Sequence, residues 1–266
     1  MPTILLIILT VLCGIVIGIM SGVIGIGGGS FIIPLLNLGL GLPILNATAT
    51  SLFTILCSCL SGAAGHIRNK TCNIKLALLL GVPGAICAPF GSLLAGKTPS
   101  VVLTCITAAV LIIPMIQMVY SAVKQRRAHK KDPAKVILWS ETKLEKRDII
   151  LGVPGGALAG FCSGLVGMGG GFIVIPLMQG LLRKGMHEAS ATSVIFILFS
   201  SVAGTITHGI AGDIHWFYGI LIAIGSIPGA FIGAMLSKKI DGFWIKIIFG
   251  FILLIVSSSL VIEAFA

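Results

Sequence analysis

Apolar positions in this chain come in long unbroken runs, and the polar positions fall between those runs. No Asp, Glu, Lys or Arg occurs from Met1 to Ile67, from Leu76 to Gly96, from Thr98 to Val123, from Ile149 to Leu182, or from Ala189 to Gly212. About 20 apolar residues in a helix match the hydrocarbon thickness of a bilayer, so runs of this length predict membrane-crossing helices. The segments are residues 4–23, 28–41, 46–65, 74–95, 99–121, 149–166, 171–182, 189–207, 214–236 and 243–262. Two of them, 28–41 and 171–182, are too short for a full span, and each follows a glycine run. Met1-Pro2-Thr3 carries no basic side chain, and the apolar stretch after it outruns a signal-peptide core, so it reads as a retained first membrane segment.

The two short segments sit at matching places in a repeat. Residues 21–35, from Ser21 to Leu35, align at an offset of 142 with Ser163 to Leu177, identical at nine of fifteen positions. The same offset places Ala47-Thr-Ala-Thr-Ser51 over Ala189-Ser-Ala-Thr-Ser193, Gly62 over Gly204, and His66 over His208. The expected fold class is therefore an all-α polytopic membrane protein of two homologous halves, residues 1–123 and 149–266, joined by a linker at 124–148. Short hydrophobic stretches interrupted by Gly and Pro at corresponding positions of two halves point to a transporter binding site, with broken or re-entrant helices at the glycine runs.

Charge orients the halves. Of the 18 Lys and Arg residues, nine lie between Lys124 and Asp148, beside four acids. A short basic loop stays on the cytoplasmic side. If every segment crosses, Arg68, Lys70, Lys75, Arg183, Lys184, Lys238 and Lys239 share that side, and only Lys97 and Lys246 are misplaced. Each half then has five crossings and the halves are inverted. If each glycine-linked pair is one kinked span, Arg183 and Lys184 fall outside, so the basic residues favour inversion.

Composition narrows the function. The chain is 56% hydrophobic and 10% charged, far below the charge that a water-facing surface needs, which excludes a soluble enzyme. No soluble face exists to carry nucleic acid. Seven cysteines, an odd number without CxxC spacing, form neither a disulfide framework nor a zinc site and read as small packing residues. No HExxH, paired-acid or Ser-His-Asp arrangement is present, so neither catalysis, metal nor cofactor is expected.

The polar minority carries what chemistry there is. The runs Gly25-Ile-Gly-Gly-Gly29 and Gly167-Met-Gly-Gly-Gly171 disfavour a continuous helix, and in hydrocarbon each freed backbone group needs a partner. A break there leaves the N–H groups of Gly27, Gly28, Gly29, Gly169, Gly170 and Gly171 at the start of a second helix, where an anion is favoured; close helix packing is the competing account. Ser30 adds a hydroxyl that Phe172 replaces in the second copy. Asn46, Thr48, Thr50 and Ser51, with Ser190, Thr192 and Ser193, form polar edges that either line a cavity or cap helix starts. Gln117 and Gln179 are further lining candidates, and Trp216, Phe217 and Tyr218 are interfacial anchors. His66, His208 and Arg68, near helix ends, are candidates for gating or proton coupling. No acid lies well inside a span, which suits a small anionic substrate better than a cation.

The duplicated Ser-Gly-x-x-Gly-x-Gly-Gly-Gly run ending in Pro-Leu, followed by the Ala-Thr-Ala-Thr-Ser51 and Ala-Ser-Ala-Thr-Ser193 stretches, resembles the sulfite exporter TauE/SafE family of membrane permeases, from about Leu9 to Val261. That resemblance implies multi-pass residence in the cell membrane and transport of small sulfur-containing anions: sulfite, sulfoacetate or other organosulfonates. It also implies that residues 25–29, 48–51, 167–171 and 190–193 line a central site between the halves. Alternating access is the expected mechanism. An anion channel and a membrane-embedded redox or assembly protein using Cys57, Cys59 or Cys162 are the alternatives.

Overall fold

The computed structural model describes residues 3–107 and 146–240, with isolated positions 109, 247 and 251. Gln117, the linker up to residue 145, and most of segments 99–121 and 243–262 lie outside the described residues. Within them the chain is helical: α1 (Thr3–Ile24), α2 (Gly29–Pro34) continued by a wider π-type turn (Leu35–Gly39), α3 (Ile44–Arg68), α4 (Ile74–Lys97), α5 (residues 100–107), α6 (Lys146–Val166), α7 (Gly171–Gly180), α8 (Met186–Ala211) and α9 (Trp216–Leu236). Six of these helices are long and apolar enough to cross a membrane: α1, α3, α4, α6, α8 and α9. The molecule is a multi-pass membrane bundle. Its outward faces carry the large apolar side chains that a lipid solvent accepts, such as Ile4, Ile86, Phe90, Ile150 and Ile210.

Glycine brings the helices together. In lipid, apolar side chains gain little by leaving their surroundings, so close backbone approach drives association. Gly14, Gly18 and Gly22 of α1 lie against Ile222, Ser226 and Ala230 of α9; a Cβ at any of them would sit 2.3–2.6 Å from a backbone oxygen. Gly156, Gly160 and Gly164 of α6 lie against Leu80, Gly84 and Ala88 of α4 at 2.0–2.3 Å by the same measure. These three α6 glycines stand 142 residues after the three of α1.

The pairings set helix directions. Rising numbers on α1 meet rising numbers on α9, and α3 runs the same way, with Thr50 near His215, Gly62 near Ala230 and Gly65 near Ala234. The helices α4, α6 and α8 likewise run together, since Asn73 meets Thr192 and Gly84 meets Phe196. Between the two sets the sense reverses: Gly62 of α3 faces Val194 of α8, while Leu52 faces Gly204.

The short segments return rather than cross. Gly170 lies against Ala159 and Ser163 of α6, Leu177 lies beside Gly155, and Lys184 reaches Asp148 at the start of α6 with Nζ 3.1 Å from Oδ2. Helix α7 therefore folds back along α6. At the end of α1, Gly28 faces Ile17 and Ser21, and the chain comes back through α2. Its π-type turn closes with Leu42 N–H donating to Leu36 O at 3.0 Å and the Asn37 amide donating to Leu42 O at 2.9 Å. The eleven residues from Gly29 to Gly39 reach about 16 Å, half a bilayer. The chain beyond each return restarts on the face where its hairpin began, so an arm that never spans the bilayer serves the topology as a crossing does.

Candidate functional site

Both glycine runs leave the helical conformation at the same positions. Gly25, Gly27 and Gly28 have φ of 83°, 89° and 79°, and Gly167, Gly169 and Gly170 have φ of 76°, 78° and 75°. These left-handed values are costly for any residue with a Cβ. They let the backbone reverse within four residues and start α2 and α7 deep inside the protein. Neither start has a side-chain cap. The first N–H groups of a helix have no acceptor within it, so two sets of donors are presented to the interior.

The two starts face each other. A Cβ on Gly29 would lie 2.6 Å from Met168 Cα, and one on Gly171 would lie 2.8 Å from Gly25 O and 3.1 Å from Ile26 Cα. Ile55 of α3 and Ile197 of α8 wall both runs, each lying within 3.3 Å of where Cβ atoms on Gly27 and Gly169 would stand. The centre is sealed: Ile26, Ser30, Thr48, Ile55, Met168 and Ile197 are each 1% exposed or less.

The polar edges of α3 and α8 hold the opposite glycine runs in place. Ser51 donates to Gly167 O and to Thr48 O, and Ser193 donates to Gly25 O at 2.6 Å and to Ser190 O at 2.7 Å. Ser190 adds a bond to Val23 O at 3.0 Å. Thr50 and Thr192, equally buried, serve elsewhere: the Thr50 hydroxyl accepts His215 N–H at 2.9 Å at the start of α9, and Thr192 accepts Asn73 N–H at 3.0 Å at the start of α4. Asn46 donates to Asp213 O at 2.8 Å, away from the centre, and its counterpart Glu188 accepts from Asn73.

Two hydroxyls near the runs are buried without a partner among the described residues: Ser30 Oγ and Thr48 Oγ1. Ser30 follows Gly29, and Thr48 packs on Gly167, so both border the second run where Gly29 meets it. Their counterparts, Phe172 and Ser190, offer a phenyl ring and a hydroxyl already bonded. The centre is thus chemically one-sided, with unused hydroxyls from the first copy and an apolar wall from the second.

The gating candidates separate. Buried His66 sits at the end of α3, with Nε2 3.0 Å from Gly22 O and Nδ1 3.1 Å from Thr71 Oγ1. Arg68 is exposed on the same face. His208 ends α8 at the opposite face, its Nδ1 2.9 Å from Asp213 Oδ2. Gln179 packs beside Met186, with its Oε1 buried and unpartnered among the described residues. Trp216 and Phe217 are exposed at the start of α9, Trp216 stacked edgewise on Phe53 at 5.2 Å. Among the described residues no group of three or more His, Cys, Asp or Glu could hold a metal.

The site includes residues that no sequence signal singled out. Ile55 and Ile197 were hidden as ordinary core, though the repeat offset equates them. Ser200, whose hydroxyl reaches Gly169 O at 3.2 Å, likewise looked like an isolated serine.

Residues 10–260 match the family model "Sulfite exporter TauE/SafE". The chain belongs to the TauE/SafE family. Among similar proteins are the probable membrane transporter YunE of Bacillus subtilis, 27% identical over 96% of this chain and 97% of the relative, and the probable membrane transporter YdhB of the same organism, 31% identical over 86% and 90%. The probable membrane transporter MJ0441 of Methanocaldococcus jannaschii is 28% identical over 94% and 93%. No solved structure gives a significant match. TauE/SafE membership, with relatives that match over most of both chains, gives this chain a membrane-transporter assignment at the level of its family.

Proposed function

We propose that the protein is a secondary transporter of the plasma membrane that carries small sulfur-containing anions (sulfite, sulfoacetate or other organosulfonates) by alternating access. One observation carries this: two helix starts with left-handed glycines meet at the sealed centre beside the unpartnered hydroxyls of Ser30 and Thr48. Backbone N–H groups at helix starts favour negative charge, and hydroxyls donate to the oxygens of a small oxyanion. Among the described residues, no carboxylate stands against either glycine run to repel it. A sealed centre lined by neutral donors suits an occluded carrier better than an open filter.

The halves 1–123 and 149–266 act as inverted repeats about this centre, with 124–148 as a cytoplasmic linker. Supporting this are the opposed directions of α1 and α6, α3 and α8, and α4 and α9, helices that the sequence offset equates, and the reciprocal bonds of Ser51 to Gly167 and Ser193 to Gly25. Arg68, Lys70 and Lys75, at the end of α3 and the start of α4, lie on the face where Lys184 meets Asp148, consistent with that face being cytoplasmic. Rocking of the halves exposes the site to each side in turn, with proton coupling through one of the two terminal histidines, His66 or His208.

Calorimetric titration of the purified protein tests the site, with sulfite, thiosulfate, sulfate, sulfoacetate, taurine and chloride as probes. Saturable binding of one sulfur oxyanion is expected, weakened by Ser30→Ala and Thr48→Val about tenfold or more each, since a hydrogen bond to a charged group is worth about 1.5–3 kcal/mol. Folded protein that binds none of the sulfur anions overturns the substrate class.

A further inference from the structure

The two repeat-related histidines differ in what surrounds them, and the difference is chemical. At His66 the Gly22 carbonyl can only accept, so Nε2 carries the proton and the Nδ1 lone pair meets the Thr71 hydroxyl. Both ring nitrogens thus have a partner, although the Thr71 hydroxyl is also 3.2 Å from His66 O, and among the described residues no acid bonds to this ring. At His208 the acceptor is the Asp213 carboxylate, so Nδ1 carries the proton. Nε2 then keeps a lone pair, buried and without a partner among the described residues. A proton added there is balanced by Asp213, which is 20% exposed at the face opposite Lys184 and Asp148.

The path between His208 and the centre is also more polar than its repeat-related counterpart. Ser201, Thr205 and His208 occupy one face of α8 at spacings of four and three, all buried, and Thr205 Oγ1 is likewise unpartnered among the described residues. Beside them Ser200 bonds to Gly169 O of the central run and receives Ser163 Oγ at 3.4 Å. At the equivalent positions α3 carries Ser58, Cys59, Ala63 and His66, so the hydroxyls at 201 and 205 have no counterpart, and Thr71 stands where Asp213 does. The climb from Ser200 to His208 is about 12 Å. Elements packed around this end of α8 bring no second acid among the described residues: α4 ends in exposed Lys97, α6 offers Cys162, the starts of α3 and α7 carry no ionisable side chain, and α9 begins with exposed His215 stacked on Tyr218 at 4.7 Å.

We infer that His208 Nε2 is a proton-binding site reached by water from the face opposite Lys184 and Asp148, and that Thr205, Ser201 and Ser200 relay between it and the central glycine runs. The inference rests on the transporter reading for its use but not for its existence. A proton from that face binds Nε2 and gives an imidazolium paired with Asp213; its return to water regenerates the neutral ring. His66, sealed between Gly22 and Thr71, takes no part.

Two measurements on the full-length protein test this. The first needs no substrate: deuterium exchange at the imidazole C2 hydrogen, read by mass spectrometry in detergent, is expected at least tenfold faster at His208 than at His66. Equal, slow exchange at both in folded protein overturns the inference. The second uses proteoliposomes with sulfite as the probe. An acid-outside gradient of two pH units is expected to change wild-type sulfite flux at least tenfold, and to change that of His208→Gln and Asp213→Asn less than twofold. A wild-type response retained in His208→Gln overturns the coupling role. Fast exchange at His208 with no sulfite flux in the wild type supports the proton site and removes the sulfite reading instead.

Discussion

Single residues decide whether the centre can exist. Gly27 and Gly169 combine φ of 89° and 78° with isoleucine side chains within 3.3 Å of a would-be Cβ. Gly27→Ala is expected to cost about 1–2 kcal/mol from the left-handed backbone alone, with repacking of Ile55 and Ile197 added, seen as a lower midpoint in thermal unfolding in detergent. Gly41→Ala, also left-handed at φ of 69° but with nothing within 4 Å of the added carbon, isolates the backbone part. Cys72, in the turn before α4, is half-buried, and burial pushes its thiol up. Iodoacetamide is therefore expected to label Cys72 several times more slowly than free cysteine at neutral pH. The glycine runs and the Ser51 and Ser193 edges were legible in the sequence because duplication marks them. Thr50 and Thr192 carry the same mark, and the sequence did not show that their hydroxyls accept the N–H groups of His215 and Asn73 just before α9 and α4.

At the scale of elements, helix existence was legible and helix contact was not. Expected segments 74–95 and 214–236 became Ile74–Lys97 and Trp216–Leu236, because an apolar run in lipid has no other way to satisfy its backbone. The returns at α2 and α7 were foreshadowed by length, but their direction depends on left-handed glycines that no hydropathy pattern shows. The stripes Gly14, Gly18, Gly22 and Gly156, Gly160, Gly164 escaped notice inside apolar segments, although they set the closest helix pairs. Gly18→Leu places its Cβ 2.4 Å from Ser226 O, and Gly160→Leu places it 2.1 Å from Gly84 O. Each is expected to destabilise the protein by about 1–3 kcal/mol or more, the usual cost of overpacking, whereas Gly96→Leu, with open space around it, leaves the unfolding midpoint within a degree or two.

Over the whole molecule, Arg68, Lys70 and Lys75 lie at the same end of the bundle as Lys184, a grouping that the basic residues suggested. They did not foretell that one end is tied by a buried ion pair. Lys184 and Asp148, with side chains 7% and 2% exposed, join the base of the α6–α7 hairpin, where the first copy has Leu42 and Leu6. Lys184→Met is expected to cost about 3 kcal/mol by removing the cation from a buried pair, and the Lys184→Met/Asp148→Leu double variant to recover part of it in the same unfolding assay. On the function proposed above, the two facing glycine runs carry an anion across by opening to each side in turn. Sulfite counterflow in proteoliposomes at rising sulfite tests it most directly. Flux is expected to saturate, to accelerate with sulfite on the far side and to fall at least tenfold in Thr48→Val; flux that rises linearly without regard to the far side, or none above empty liposomes, rules out alternating access.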